Sequence, residues 1–157
     1  MIEAESLAFL TWEFTDPSVH DTLVLPALLE RVSGTIAEVY ADAGYLSSSN
    51  CLAIAARNAV PFIKPKSNTR GRPAPGARDR PAHRTSEPFR DMVDAYRRDV
   101  VGWLAIYGRR NRIESAFGGL KRRFGGAVAA TGHRMRRVEA AMKVVVWNLT
   151  RVTQPYL

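Results

Sequence analysis

Apolar segments separated by turn-forming residues run along the N-terminal part of the chain. Residues 7–15 (LAFLTWEFT) are rich in aromatic and apolar side chains, which is typical of a buried strand. Pro26 suits a first helical turn, so the helical segment 22–32 begins its regular part near it. The predicted elements are strands at residues 7–15, 35–40 and 59–63, with helices at 22–32 and 47–58 between them. This alternation predicts an α/β fold with a mostly parallel sheet.

The rest of the chain predicts a basic loop followed by helices. Residues 67–88 hold prolines and arginines among small residues, so they indicate a flexible loop whose arginines either neutralise phosphates or are simply solvated. Helical pattern resumes at Phe89 and continues with breaks to Phe124, where two glycines end it. A last helix covers residues 134–151. We predict one partial domain over residues 1–157, with 89–157 as its helical C-terminal part.

Charge is strongly positive, at +8, and unevenly distributed along the chain. From Met1 to Tyr45 the acids stand against Arg31 alone, and after Tyr45 arginines dominate. Such an asymmetry indicates a polyanionic partner, with nucleic acid as the first candidate. The alternative is a basic protein without a specific partner.

Several classes of protein are excluded by composition. No run of eighteen apolar residues occurs, and the N-terminus carries acids where a secretory signal carries basic residues, so we expect a cytoplasmic protein that makes no membrane contact. The lone Cys51 excludes an internal disulfide and is expected to be a small buried residue. His20, His83 and His133 lack metal-ligand spacing, which argues against a zinc site.

The stretch with the most chemical information is residues 107–124, YGRRNRIESAFGGLKRRF. On one continuous helix, at about 100° per residue, Arg110, Glu114 and Lys121 lie within about 60° of Tyr107. An adjacent apolar stripe suits packing against a sheet, and it comprises Ile106, Ile113, Phe117, Leu120 and Phe124. A carboxylate among basic residues beside a buried seam is a candidate functional face. The alternative is that Glu114 only pairs with nearby arginines on an exposed helix.

The spacing Tyr107-x2-Arg110-x3-Glu114-x6-Lys121 resembles the Tyr-Arg-Glu-Lys signature of bacterial and archaeal insertion-sequence DDE transposases. Upstream blocks occur in the order that this family has. SVHDTLVLPALLERV resembles its His-Asp turn and helix, and AVPFIKPKSNTRGRP resembles a later strand with its basic outlet. VYADAGYLSSSN resembles the strand end that bears the second catalytic aspartate, here Asp42. The similarity covers nearly the whole chain.

This resemblance implies a ribonuclease-H-like fold, with a mixed sheet and flanking helices, and metal-dependent phosphodiester hydrolysis and strand transfer at insertion-sequence ends. Asp42 and Glu114 would face each other and bind two Mg²⁺ or Mn²⁺ ions, which prefer oxygen ligands. Tyr107, Arg110 and Lys121 would contact the DNA near the cut. The implied partners are the DNA of the element ends and target, with a homodimer on that DNA, at the nucleoid of a prokaryote.

The sequence departs from the family at the first catalytic aspartate, which the resemblance implies on a strand two strands before residues 7–15. Only six residues precede Leu7, and the early candidates Asp16 and Asp21 both follow that segment. We therefore expect an N-terminally truncated domain with an incomplete triad. Two functions stay open: a fragment of a DNA strand-transfer nuclease, and a non-catalytic DNA-binding remnant or regulator.

Five residues carry further expectations. An aspartate that ends a strand often caps the next helix, which is an alternative role for Asp42. Gly118 and Gly119 each cost a helix about 1 kcal/mol, so we expect a close approach of another helix or of DNA, or a bend. Trp103 and Trp147 are predicted to be core residues.

Overall fold

The structure, a computed structural model, describes residues 1–15, 20–67, 69 and 85–153, apart from the side chains of Asp21 and Val152. The chain divides into two compact units. The first, which we call the sheet unit, is Asp16–Arg110; the second, the helix unit, joins Met1–Thr15 to Asn111–Leu157. No helix of the described residues is long and apolar enough to cross a membrane.

The sheet unit contains one short parallel sheet and four α-helices among its described residues. In chain order these elements are α1 (Leu25–Glu30), β1 (Glu38–Ala41), α2 (Ser48–Ala55), β2 (Val60–Ile63), α3 (Glu87–Arg98) and α4 (Val100–Tyr107). Short 3-10 helices lie at Asp21–Leu23, Ala43–Tyr45 and Gly108–Asn111, the last of which ends in the helix unit. The helix unit contributes α5 (Arg112–Phe124) and α6 (His133–Thr153).

Strand β1, helix α2 and strand β2 form the parallel unit that the sequence predicts. The strands pair in parallel, with a register that runs from Glu38 opposite Val60 to Ala41 opposite Ile63. Helix α2 begins where predicted because the Ser47 Oγ accepts a hydrogen bond from the Asn50 amide at 3.1 Å. The carboxyl end of β1 therefore lies at one edge of a small sheet, where side chains from loops can meet.

The predicted strand at residues 7–15 is wrong. In its place the segment makes one isolated antiparallel bridge, from Ile2 to Phe9, and Leu7 adopts a left-handed backbone with a φ of 61°. The backbone of Phe9 is satisfied by a side chain from far along the sequence. Asn148 accepts from the Phe9 amide and donates to the Phe9 carbonyl, both at 2.8 Å. An asparagine amide therefore takes the place of a strand partner at Phe9. The sheet has two strands among the described residues, where the sequence predicts three.

The sheet unit confirms three of the sequence predictions, for Pro26, Cys51 and Trp103. Pro26 lies in the first turn of α1, as predicted, and the carbonyls at the end of this helix accept from the guanidinium of Arg57. Cys51 is fully buried, as expected of a small apolar residue. Trp103 is also buried, against Tyr96, Phe62 and Tyr107.

The predicted loop at 67–88 lies largely outside the described residues, which lack 68 and 70–84. Its last two residues belong to α3, which begins at Glu87 with Pro88 in its first turn. Serines hold this entry in place, because the amide of Ser86 donates to the hydroxyl of Ser48 at 2.5 Å. The helical region therefore begins two residues earlier than Phe89.

The helix unit packs around Trp147. The buried cluster comprises Phe9, Ala116, Val144 and Trp147, and partly buried Ile2, Leu7, Trp12, Leu120 and Phe124 pack against it. A Cβ built on Gly119 would lie 2.3 Å from the Trp147 ring, so this glycine permits the close approach of α5 and α6. Of the predicted apolar stripe, Phe117 stays 44% exposed and meets Phe9 edge-on.

Candidate active site

Asp42 directly follows β1, at the carboxyl end of a buried parallel strand. Its backbone is extended and leads into the 3-10 helix Ala43–Tyr45, but its side chain caps neither that helix nor α2, which Ser47 caps. The carboxylate is 57% exposed. The structure therefore disfavours the helix-capping role that an aspartate at a strand end often has.

Arg110 contacts this carboxylate. One of its terminal nitrogens donates to Oδ2 of Asp42 at 2.6 Å, and the arginine side chain is only 22% exposed. Guanidinium and carboxylate form a charge-assisted pair that is shorter than a neutral hydrogen bond. Two residues of the candidate site, one beside the strand and one on the 3-10 helix Gly108–Asn111, are thus brought together.

Tyr107, the last residue of α4, reaches the same strand end. Its hydroxyl donates to the carbonyl of Ala41 at 3.2 Å. Its ring stacks on Trp103 with centroids 5.0 Å apart and an interplanar angle of 20°, which fixes the direction of the side chain. Burial raises the pKa of Tyr107, the charge of Asp42 raises it further, and Arg110 lowers it. The phenol is therefore held as a neutral hydrogen-bond donor at neutral pH.

A second cluster lies at the start of β1 and was missed from the sequence. Arg109 donates to Glu38 at 3.0 Å and to the Tyr40 hydroxyl at 3.3 Å, while Tyr40 donates to Glu38 at 2.5 Å. The sequence does indicate that Glu38 and Tyr40 lie side by side, because residues two apart on a strand share a face. The 3-10 helix is therefore attached by two successive arginines, Arg109 to β1 itself and Arg110 to Asp42 directly after it.

The single helix predicted for residues 107–124 is wrong. Helix α4 ends at Tyr107, the 3-10 helix covers Gly108–Asn111, and α5 begins at Arg112. Gly108 is a weak helix former, and the contacts of Arg109 and Arg110 with β1 favour the tighter winding. The angular argument that put four signature residues on one helical face therefore does not apply.

The break assigns the signature residues to different units. Tyr107 and Arg110 belong to the sheet unit with Asp42. Glu114, in the first turn of α5, and Lys121, in its last turn, belong to the helix unit, and both are exposed. The expected approach of the Asp42 and Glu114 carboxylates stays a prediction.

A divalent metal ion would find one suitable oxygen ligand at the end of β1, the Asp42 carboxylate, which suits a hard ion such as Mg²⁺. Among the residues that the structure describes, no group of three or more His, Cys, Asp or Glu side chains could hold a metal ion. Arg110 neutralises the same carboxylate. Among the described residues, Asp42 could therefore supply one ligand of a metal site, and Arg110 is the positively charged partner of the same carboxylate.

Comparison with known proteins gives one family match for the chain. A family model described as Transposase DDE domain matches residues 1–149. No curated protein and no solved structure matches the chain.

Proposed function

The chain belongs to the transposase DDE domain family, and we propose that Asp42, Tyr107 and Arg110 form part of its DNA-processing site. The family implies a ribonuclease-H-like fold, and the parallel unit of β1, α2 and β2 is α/β. The reaction of this class is metal-dependent phosphodiester hydrolysis and strand transfer at the ends of an insertion sequence. Its substrate is DNA.

One observation carries the proposal: two residues far along the sequence converge on the strand end that bears Asp42. Tyr107 contacts the carbonyl of Ala41 and Arg110 contacts the Asp42 carboxylate, over separations of 66 and 68 residues. The ion pair of Arg110 and Asp42 contributes only about 0–1 kcal/mol to folding, because more than half of the Asp42 side chain is exposed. A shared site explains why the three side chains meet.

Each residue has a role that its chemistry permits. Asp42 supplies a carboxylate for a divalent ion, and Glu114 supplies another from α5. When bound, a pair of Mg²⁺ or Mn²⁺ ions activates the attacking oxygen and stabilises the leaving oxygen. Arg110 and Lys121 pair with DNA phosphates near the cut, and Tyr107 contacts the DNA there when its one hydroxyl proton turns from the Ala41 carbonyl to a phosphate or sugar oxygen.

The ion pair between Arg110 and Asp42 favours a second candidate, a DNA-binding role without cleavage. An arginine that donates to Oδ2 at 2.6 Å competes with a metal for that oxygen. For a metal ion to take Oδ2 of Asp42, Arg110 has to turn from this oxygen towards a phosphate. In the chain alone we therefore expect DNA binding without cutting.

Binding and nicking of DNA test these candidates together. Fluorescence anisotropy with a labelled duplex, at salt concentrations from about 50 to 300 mM, should give an affinity that falls steeply with salt. Arg110→Gln should weaken binding more than Arg98→Gln, which removes an exposed arginine at the end of α3 in the same unit. In parallel, the chain is incubated with Mg²⁺ or Mn²⁺ and DNA that carries the element ends, and nicks are mapped.

The outcomes separate the candidates. No DNA binding at 50 mM salt would overturn both of them. Binding without nicks supports the non-catalytic role of the chain alone. Metal-dependent nicks that disappear in Asp42→Asn, a variant that keeps the size of the side chain, would assign the enzyme and refute the non-catalytic role.

A further inference from the structure

Helices α5 and α6 border an open cleft of about 420 Å³ within the helix unit, and Leu7 of the N-terminal segment contributes to its lining. Ser115, Gly119, Arg122 and Arg123 line it from α5. These residues lie on one helical face, because their spacings of four, seven and eight residues correspond to whole turns. The cleft contains none of the residues assigned above to the DNA-processing site.

The cleft is held open by specific packing. Gly119 leaves room for the Trp147 ring, since a Cβ at residue 119 would lie 2.3 Å from the ring. The Trp147 indole nitrogen donates to the carbonyl of Leu7 at 2.9 Å, which ties the N-terminal segment to α6. In this position Leu7 has a left-handed backbone with a φ of 61°, which is strained for a residue other than glycine. Contacts within the chain therefore hold the Trp147 ring and Leu7 in their positions at the cleft.

Charge in the cleft is entirely positive. Arg122, Arg123 and Arg151 all line it, and no carboxylate is among its lining residues. Within the described part of the chain, none of these three arginines makes an ion pair with an acidic side chain. Like charges that share a cleft repel one another, and the repulsion is relieved when an anion binds between them.

Among the cleft arginines, Arg151 has the most specific contacts. Its guanidinium lies 4.2 Å from the Trp147 ring centroid, a cation–π arrangement that holds the planar group over the ring. Its Nε is buried and has no hydrogen-bond acceptor among the described residues. Because buried donors are almost always satisfied in folded proteins, Arg151 retains hydrogen-bonding capacity that the described residues do not use.

We propose that this cleft binds a phosphodiester of the DNA backbone, as a second DNA contact apart from the Asp42 site. The inference rests on the proposed function for the identity of the polymer. Guanidinium groups present planar forks that match phosphate oxygens, and the exposed Ser115 hydroxyl adds a neutral donor. Contacts of this kind position DNA and carry no sequence information.

The salt dependence of DNA binding tests the cleft with matched variants. Arg122→Gln and Arg151→Gln each remove one cleft arginine, and Arg134→Gln removes an exposed arginine of α6 that does not line the cleft. For each lost phosphate contact the slope of log affinity against log salt should fall by about 0.9. Both cleft variants should show this fall and a several-fold loss of affinity at 100 mM salt. Arg134→Gln should change both quantities less.

A second measurement reads the site directly and distinguishes two sources of phosphate. The Trp147 indole N–H signal is followed by NMR while either a duplex or inorganic phosphate is added to the full chain. We expect the duplex to shift this signal at micromolar concentration and inorganic phosphate to do so only at millimolar concentration. Arg122→Gln is the variant compared with wild type in this measurement, because Arg122 is exposed and its loss leaves the Trp147 packing intact.

The results also separate this inference from the proposed function. If the wild-type chain does not bind DNA, the proposed function fails and the cleft assignment fails with it. If the chain binds DNA but the cleft variants match Arg134→Gln, only the cleft assignment fails. A signal that responds to micromolar inorganic phosphate and not to duplex would overturn the DNA assignment in favour of a small phosphorylated ligand.

Discussion

The guanidinium of Arg110 donates to Oδ2 of Asp42 across 2.6 Å, joining the 3-10 helix Gly108–Asn111 to the carboxyl end of β1. The arginine is mostly buried, whereas more than half of the aspartate side chain is exposed. The carboxylate is therefore held from one side and open to solvent on the other. Such an arrangement suits a group that exchanges one charged partner for another.

A double-mutant cycle measures this pair. We expect Arg110→Ala and Asp42→Ala to show a coupling free energy of about 0.2–1 kcal/mol in urea unfolding at low salt, because the aspartate is exposed. The coupling should fall as salt rises. Arg109 and Glu38 serve as the control pair, since they are 3.0 Å apart and both more than a third exposed. A larger coupling for the control pair than for Arg110 and Asp42 would contradict the assignment.

Tyr107 predicts a difference in stability at high pH. Its pKa is raised, first by burial and then by Asp42, so folding favours the protonated phenol. The stabilisation is fully present below about pH 10, the unfolded-state value, and is lost as pH rises through the folded-state pKa. Near pH 7, Tyr107→Phe should cost about 0.5–1.5 kcal/mol through the lost bond to Ala41. Above pH 10 the unfolding free energies of wild type and variant should converge; a gap that widens would show the opposite shift.

The sequence predicts local structure well where local signals determine it. The Ser47 cap and the apolar segments of β1 and β2 lie within a few residues of one another, and the parallel unit they indicate is present. The strand predicted at residues 7–15 fails because Asn148 satisfies the Phe9 backbone. No pattern near residue 9 contains that information.

The residues of the Tyr-Arg-Glu-Lys spacing show a second limit of prediction from sequence. The family resemblance implies that Tyr107 and Arg110 contact DNA near the cut, which stays a prediction; in the structure both contact the strand end that bears Asp42. The prediction that these residues share one helical face is wrong. The contacts of Arg109 with Glu38 and of Arg110 with Asp42 favour a 3-10 helix at Gly108–Asn111. The sequence predicts a close approach at Gly118 and Gly119 and a core role for Trp147, but not the arginine cleft that their packing forms. It depends on Trp147 lying against Gly119, which only tertiary packing determines.

Cys51 should be chemically inert in the folded chain. It is fully buried, and burial raises the pKa of its thiol to about 12. Only the thiolate reacts, and at pH 8 it would be roughly one part in ten thousand. Mass spectrometry after treatment with iodoacetamide should therefore find native chain unmodified and urea-unfolded chain fully alkylated. Equal rates in the two states would show that Cys51 is accessible.

The neighbouring glycines of α5 make a matched pair for the packing of the helix unit. Alanine should favour the helix by up to about 1 kcal/mol at either position. At residue 118 the nearest atom to a new Cβ is a mobile arginine nitrogen of Arg122 at 3.4 Å, so Gly118→Ala should be neutral or stabilising. At residue 119 the Cβ would lie 2.3 Å and 2.8 Å from two Trp147 ring carbons, and overpacking costs about 1–3 kcal/mol. Gly119→Ala should therefore destabilise the unit.

Urea unfolding followed by tryptophan fluorescence compares the two variants with wild type. Gly119→Ala should shift the midpoint down, and Gly118→Ala should leave it unchanged or raise it. Because the Trp147 ring also lines the arginine cleft, the displaced ring in Gly119→Ala should weaken DNA binding as well. Equal stabilisation by both alanines would mean that α5 and α6 do not approach as closely as Gly119 and Trp147 do here.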